Sequence, residues 1–204
     1  MKSLAVFIFP GIQTLDLFGP VELLGGFFDH ISLTFVGETM DPVRTRHGQR
    51  ILPDKSIADG TDYDLLLIPG GDSALDVPKR PDSMQWLSET TENAELVMTV
   101  CTGSILLAMT GALDGHKATT NKMDFRDTVH LGPNVDWVEK ARWVHDGKFF
   151  TSSGVSAGMD MALAAAAHLI GQEEAEWMAE GSEYEWHKDP SWDPFAERCG
   201  LGMS

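Results

Sequence analysis

Cysteine is scarce in this chain of 204 residues: there are two, Cys101 and Cys199, and they do not form a C-x-x-C pair. Two distant thiols do not suggest a disulfide scaffold and fit a reducing compartment, so a cytoplasmic setting is expected. Basic residues are few, 15 against 31 acids, for a formal charge of −16. That balance argues against nucleic acid or an anionic membrane as a partner, and solubility accounts for the acidity. No apolar run approaches the length of a membrane span. The N-terminus has one basic residue and a short apolar stretch, but lacks a small-residue cleavage site, so it reads better as a core strand than as a signal peptide. The histidines at 30, 47, 116, 130, 145, 168 and 187 lack ligand spacing such as H-E-x-x-H, and no metal is expected. Neither G-x-x-x-x-G-K-S/T nor G-x-G-x-x-G occurs, so nucleotide binding has no support and no cofactor is expected.

What is present is a core. Hydrophobic residues make up 43% of the chain, enough for one ordinary domain without staples. With no repeat, linker or low-complexity tract, a single domain over 1–204 is expected, its core at about 4–180 and a tail, 184–204, packed on it. Tail residues Trp186, Trp192 and Phe195 are costly to leave in water. Apolar runs at 4–9, 31–37, 64–68 and 96–100 read as buried strands. Helical spacing recurs at 15–28, 83–91, 105–110, 123–131, 156–170 and 173–180, with a break expected at Gly19-Pro20. The polar stretch 41–53 suggests an irregular hairpin or an edge excursion, and 142–151 a hairpin turning at Asp146-Gly147. The small residues of 156–170 permit close packing against the sheet or another subunit, and the acids of 173–185 read as a solvated face. Strand–helix alternation with buried strands predicts a three-layer α/β/α sandwich with a largely parallel sheet. Its ligand crevice should lie beyond the carboxyl ends of the strands.

Three segments fall at such ends. Val100-Cys101-Thr102-Gly103-Ser104 places one thiol at a sharp turn between strand and helix, the cysteine counterpart of a nucleophile elbow. The helix N-terminus there would favour a thiolate, although a buried cysteine can also be a small hydrophobe. Asp16, after the first strand, sits between apolar neighbours, which is expensive for an unpartnered carboxylate. Beside a thiolate it would hold its proton and pass it on; as an alternative it caps a helix. Pro69-Gly70-Gly71 allows close backbone approach, so the amides of Gly70, Gly71 and Thr102 could form an oxyanion pocket, or a tight turn without a ligand. The Thr102 hydroxyl could orient Asp16 or a water, or merely cap the helix.

Together these pieces resemble the ThiJ/PfpI superfamily, the Parkinson-protein-7-like class I glutamine amidotransferase-like fold. The matching segments are Leu15-Asp16-Leu17-Phe18-Gly19-Pro20-Val21-Glu22, Leu67-Ile68-Pro69-Gly70-Gly71, Val100-Cys101-Thr102-Gly103-Ser104, Ala118-Thr119-Thr120 and Ser153-Gly154-Val155-Ser156-Ala157-Gly158-Met159-Asp160, in family order. The resemblance implies a flavodoxin-like sandwich, a nucleophilic Cys101 and a homodimer. Within the superfamily the chain looks most like the isonitrile hydratase branch, which carries Asp before Gly-Pro and Cys-Thr-Gly at the elbow. That likeness implies a cofactor-free hydro-lyase acting on a small electrophile, with Cys101, Asp16 and Thr102 catalytic and Gly70, Gly71 and Thr102 binding the polar end. Alternatives are a glyoxalase or deglycase acting on 2-oxoaldehydes and a non-enzymatic redox sensor. The same Asp and Cys-Thr-Gly features occur in the amidase-like domains of AraC-type regulators, and with an acidic tail in place of a helix-turn-helix the regulator reading is not the expected one. Relatives usually place His after Ala-Thr-Thr; this chain has Asn121.

Overall fold

Eleven strands occur in the computed structural model, which describes residues 1–202; Met203 and Ser204, the end of the expected tail, lie outside the described residues. In chain order the strands are β1 (Lys2–Ile8), β2 (Ile31–Gly37), β3 (Val43–Arg44), β4 (Arg50–Ile51), β5 (Lys55–Ser56), β6 (Leu65–Ile68), β7 (Leu96–Val100), β8 (Lys117–Ala118), β9 (Asp136–Trp137), β10 (Trp143–Asp146) and β11 (Phe149–Ser152). The helices are α1 (Thr14–Gly25), α2 (Pro81–Asn93), α3 (Gly103–Ala108), α4 (Phe125–Thr128), α5 (Ala157–Leu169), α6 (Gln172–Gly181) and α7 (Pro194–Arg198). The main sheet has the order β10-β11-β7-β6-β1-β2-β5, and every pair is parallel except the β10–β11 hairpin. The strands β6, β7 and β11 are buried throughout, because helices cover both faces of a parallel sheet and leave no polar side. Helix α5 packs on α1 and α6, while α2 brings Trp86 onto Phe7 of β1 at a ring distance of 5.5 Å. This is the expected flavodoxin-like sandwich.

The chain moves outward from β1 to β2 and β5, then returns to the opposite side of β1 with β6. The strand order therefore reverses between β1 and β6, and a crevice opens at their carboxyl ends. The segments carrying Asp16, Gly70 and Cys101 follow β1, β6 and β7 into that crevice.

Several local readings shift. Helix α1 continues through Pro20 where a break was expected, and the missing N–H of Pro20 deprives the Asp16 carbonyl of its helical donor. The β10–β11 turn is Gly147-Lys148, with Asp146 paired to Phe149 in the ladder. Gly147 supplies the positive φ of 60°, and the Asp146 carboxylate accepts the Lys117 N–H at 2.7 Å, which keeps Asp146 in the strand. The expected 123–131 helix is the short α4 followed by a 3-10 turn, Val129–Leu131.

The tail is fastened at two buried ion pairs. Arg142 Nε donates to Asp160 Oδ2 at 2.7 Å, and the other Asp160 oxygen accepts Tyr184 Oη–H and the His187 N–H, each at 2.9 Å. Further on, Asp193 caps α7 through the Phe195 and Ala196 N–H groups, while its second oxygen lies 3.4 Å from Lys122 Nζ. Trp186 is half-buried, but Trp192 and Phe195 keep 42% and 44% of their surface. The Trp192 ring is covered instead by stacking on His187 at 4.0 Å.

Candidate active site

Cys101 occupies the bend between β7 and α3 with φ of 57°, the left-handed region that a non-glycine residue adopts at a cost of about 1–3 kcal/mol. Its amide donates to the carbonyls of Ser152 and Ser153, each at 3.2 Å, and its own carbonyl accepts the Ser104 and Thr120 hydroxyls, each at 2.9 Å. The surrounding chain thus fixes a backbone geometry that the residue alone would avoid. The sulfur faces a cavity of about 500 Å³ whose wall includes Gln13, Arg46, Asp72, Asn121, Asp124 and Val155. Arg46, from the β3–β4 hairpin, pairs with Asp72 at 2.8 Å on that wall.

Asp16 lies in the first turn of α1, with no exposed surface. It does not cap the helix: Gln13 holds that position. One carboxyl oxygen accepts the Gly70 N–H at 3.2 Å, and the other is buried without a hydrogen-bond partner. Burial pushes Asp16 up to about pKa 7, although the nearby Cys101 thiol and the Gly70 amide pull the other way by favouring the charged form. The thiol is raised in turn, by burial first and by the Asp16 charge second. The Asn121 amide and the Thr102 N–H work against that rise by donating to sulfur. Thiol and carboxyl thus each hold their proton more tightly than an ordinary side chain, because burial disfavours both charged forms.

The glycines do something other than the expected cradle. The Gly70 N–H is bound to Asp16, and the Gly71 N–H donates to Thr102 Oγ1 at 3.0 Å. Thr102 Oγ1 donates back to the Gly71 carbonyl at 3.1 Å, so its hydroxyl clamps the elbow to the turn after β6. Of the three amides expected to face the thiol, that of Thr102 works against the rise of the thiol. Glycine is required at 70 and 71 by backbone packing. A Cβ on Gly70 would stand 2.7 Å from Thr102 N, and one on Gly71 would stand 2.6 Å from the Gly11 carbonyl. Thus Cys101, Asp16, Thr102 and Gly70-Gly71 do converge, but two of the amides assigned to a ligand are used within the protein.

Sequence reasoning flagged Asn121 only as a departure from a pattern. In the structure its Nδ2 donates to Cys101 Sγ at 3.2 Å. Alternation of the short strand Lys117–Ala118 with the polar run that follows it gave no sign of this contact. The Ala-Thr-Thr-Asn order was the one available signal.

A model of the DJ-1/PfpI family matches residues 2–168. The chain belongs to the DJ-1/PfpI family. Among curated relatives, an isonitrile hydratase from Pseudomonas putida is 31% identical over 87% of this chain and 76% of its own length. A glutathione-independent glyoxalase from Caenorhabditis elegans is 25% identical over 76% of this chain and 80% of its own. Among solved structures, a ThiJ/PfpI family protein from Pseudomonas syringae superposes with a TM-score of 0.84, at 29% identity over 94% of this chain and 78% of that one. In this DJ-1/PfpI chain no described helix is long and apolar enough to cross a membrane.

Proposed function

We propose that the protein is a cofactor-free hydro-lyase that adds water to an isonitrile and releases an N-substituted formamide. The observation that carries this reading is a fully buried carboxyl, Asp16, coupled to an elbow cysteine at the wall of a cavity. The likeness to the Pseudomonas putida isonitrile hydratase supports it. An isonitrile, R–N≡C, offers a terminal carbon that accepts a nucleophile and then needs a proton. The Cys101–Asp16 pair, holding one shared proton, supplies both. The sulfur lone pair forms the S–C bond, the thiol proton passes through Asp16 to that carbon, and a thioimidate, R–N=CH–S–Cys101, results. Water then adds across C=N, with its proton carried by Asp16 to nitrogen and its oxygen bonded to carbon. Collapse breaks the C–S bond and gives R–NH–CHO and the thiol. The Thr102 N–H bears on the sulfur throughout, and the Thr102–Gly71 clamp holds the elbow rigid.

The reaction should run where the pair carries one proton, so kcat/KM should rise as pH passes through about 7. A panel of alkyl isonitriles and methylglyoxal, with products identified by mass, tests the reading. Formamide from the isonitriles is the expected result. Lactate from methylglyoxal with no formamide would replace the hydratase by a glyoxalase. Peroxide oxidation of Cys101 with no turnover of either would leave a redox sensor. The protein is also proposed to act as a homodimer on a soluble small molecule in the cytoplasm. Leu15, Phe18 and Met123 are exposed apolar side chains that a second copy would cover, and light scattering reads the mass directly.

A further inference from the structure

Three features converge on one side chain beside the sulfur. Asn121 Nδ2 lies 3.2 Å from Cys101 Sγ. Its Oδ1 accepts two backbone N–H groups, from Met123 at 2.8 Å and from Asp124 at 3.3 Å. An amide whose oxygen is bound twice cannot turn over without losing both bonds, so nitrogen is the atom presented to sulfur. Gly154 lies against the amide, and a Cβ there would collide with Nδ2. Chain and glycine together hold the donor in place.

We infer that Asn121 is a catalytic residue, a locked and non-titrating donor that stabilises negative charge on Cys101 sulfur as the S–C bond forms and breaks. This rests on the reading of Cys101 as the nucleophile. A carboxamide donates but does not take a proton at neutral pH, so it cannot serve as the base. The proton traffic falls to Asp16. The charged groups facing the sulfur from the surrounding elements are Asp16 on α1 and Asp124 beside α4, with Arg46 and Asp72 on the cavity wall. Asp124 is held above the ordinary carboxylate range by burial and by Asp72. None of these is an imidazole, and the profile around neutrality should show one ionisation.

The test uses Cys101 alkylation by iodoacetamide, resolved from Cys199 by peptide mass, as a function of pH, beside isonitrile turnover. Asn121→Asp keeps an acceptor for the Met123 and Asp124 N–H groups but turns an oxygen to the sulfur. Gly154→Ala leaves Asn121 in the chain and pushes its amide away. Both should slow alkylation about tenfold at pH 8, the loss of one charge-assisted hydrogen bond. Asn121→Ala should do the same, and Asn121→His should add a second inflection near an ordinary imidazole value of about 6.5. Unchanged alkylation profiles in both Asn121→Asp and Gly154→Ala, with wild-type melting curves, would overturn the inference. Slowed alkylation in variants of a protein that turns over no isonitrile would instead leave the role of Asn121 standing and remove the hydratase reading.

Discussion

Replacing Asp16 by Asn should stabilise the protein at alkaline pH while it destroys activity. The carboxyl has no exposed surface and one oxygen without a partner, and burial moves it from 3.8 to about 7. A folded-state proton held that much more tightly than in the unfolded chain corresponds to roughly 4 kcal/mol once the group is ionised. The sign follows from which state binds the proton. Between pH 3.8 and about 7 the folded protein keeps a proton that the unfolded chain has released. Stability from this group is therefore full below 3.8 and lost as pH rises, the loss being complete above about 7. Asparagine mimics the protonated carboxyl and does not ionise, so it escapes the penalty. Urea titrations of wild type and Asp16→Asn at one protein concentration, from pH 4 to pH 8, give the difference directly. Surface carboxylates such as exposed Asp64 and half-buried Asp146, lowered by backbone N–H groups, follow the opposite trend, but they act equally in both proteins and cancel. The variant should match wild type near pH 4 and exceed it by up to about 4 kcal/mol at pH 8, with turnover lost. Parallel stability profiles would show that Asp16 ionises normally, and the coupled-pair chemistry would fall with it.

Cys101→Ala should abolish formamide production while leaving the melting temperature close to wild type, since alanine keeps the same backbone strain at φ 57° and removes only the thiol; formamide formed at the wild-type rate would reject the mechanism. Asp160→Ala should cost about 3–5 kcal/mol by stranding buried Arg142 and freeing the Tyr184 and His187 contacts, read as a lower denaturation midpoint and faster proteolysis of the tail. For Lys122, burial lowers the ammonium to about 8 despite Asp193, so the unfolded chain binds more protons between about 8 and 10.5 and stability rises with pH across that window. Asp193→Asn should widen the window downward, making the variant weakest in acid and bringing it back toward wild type above pH 8, which pH-dependent thermal melts would show.

Much of this fold can be read from local pattern. Leu65–Ile68 and Leu96–Val100 are unbroken apolar strands because both sheet faces are covered, and the change of period at Cys101 marks the elbow. Convergence of Asp16, Gly70 and Cys101 followed from the rule that crevices form at strand ends. Other features depend on partners far along the chain and leave little local trace. The edge strand Lys55–Ser56 is two residues long, and the 3-10 segment Asp72–Lys79 buries only Ala74 and Val77. The Lys122–Asp193 pair joins residues that no spacing rule connects, although Asp193-Pro194 was a readable helix start for α7. The glycine amides could be seen to approach something closely. Whether that was a ligand, or Asp16 and Thr102, was a question of tertiary hydrogen bonding. Asn121 is the sharpest case: its direction is set by the Met123 and Asp124 amides, which the sequence places nearby but does not aim.

The decisive measurement is the intact mass of the protein quenched during turnover of an alkyl isonitrile, followed by peptide mapping. A covalent bond between the elbow sulfur and the substrate carbon predicts an adduct equal to the whole isonitrile, located on the Cys101 peptide and decaying as formamide appears. Steady formamide production with no adduct at any quench time, or an adduct confined to Cys199, would contradict it.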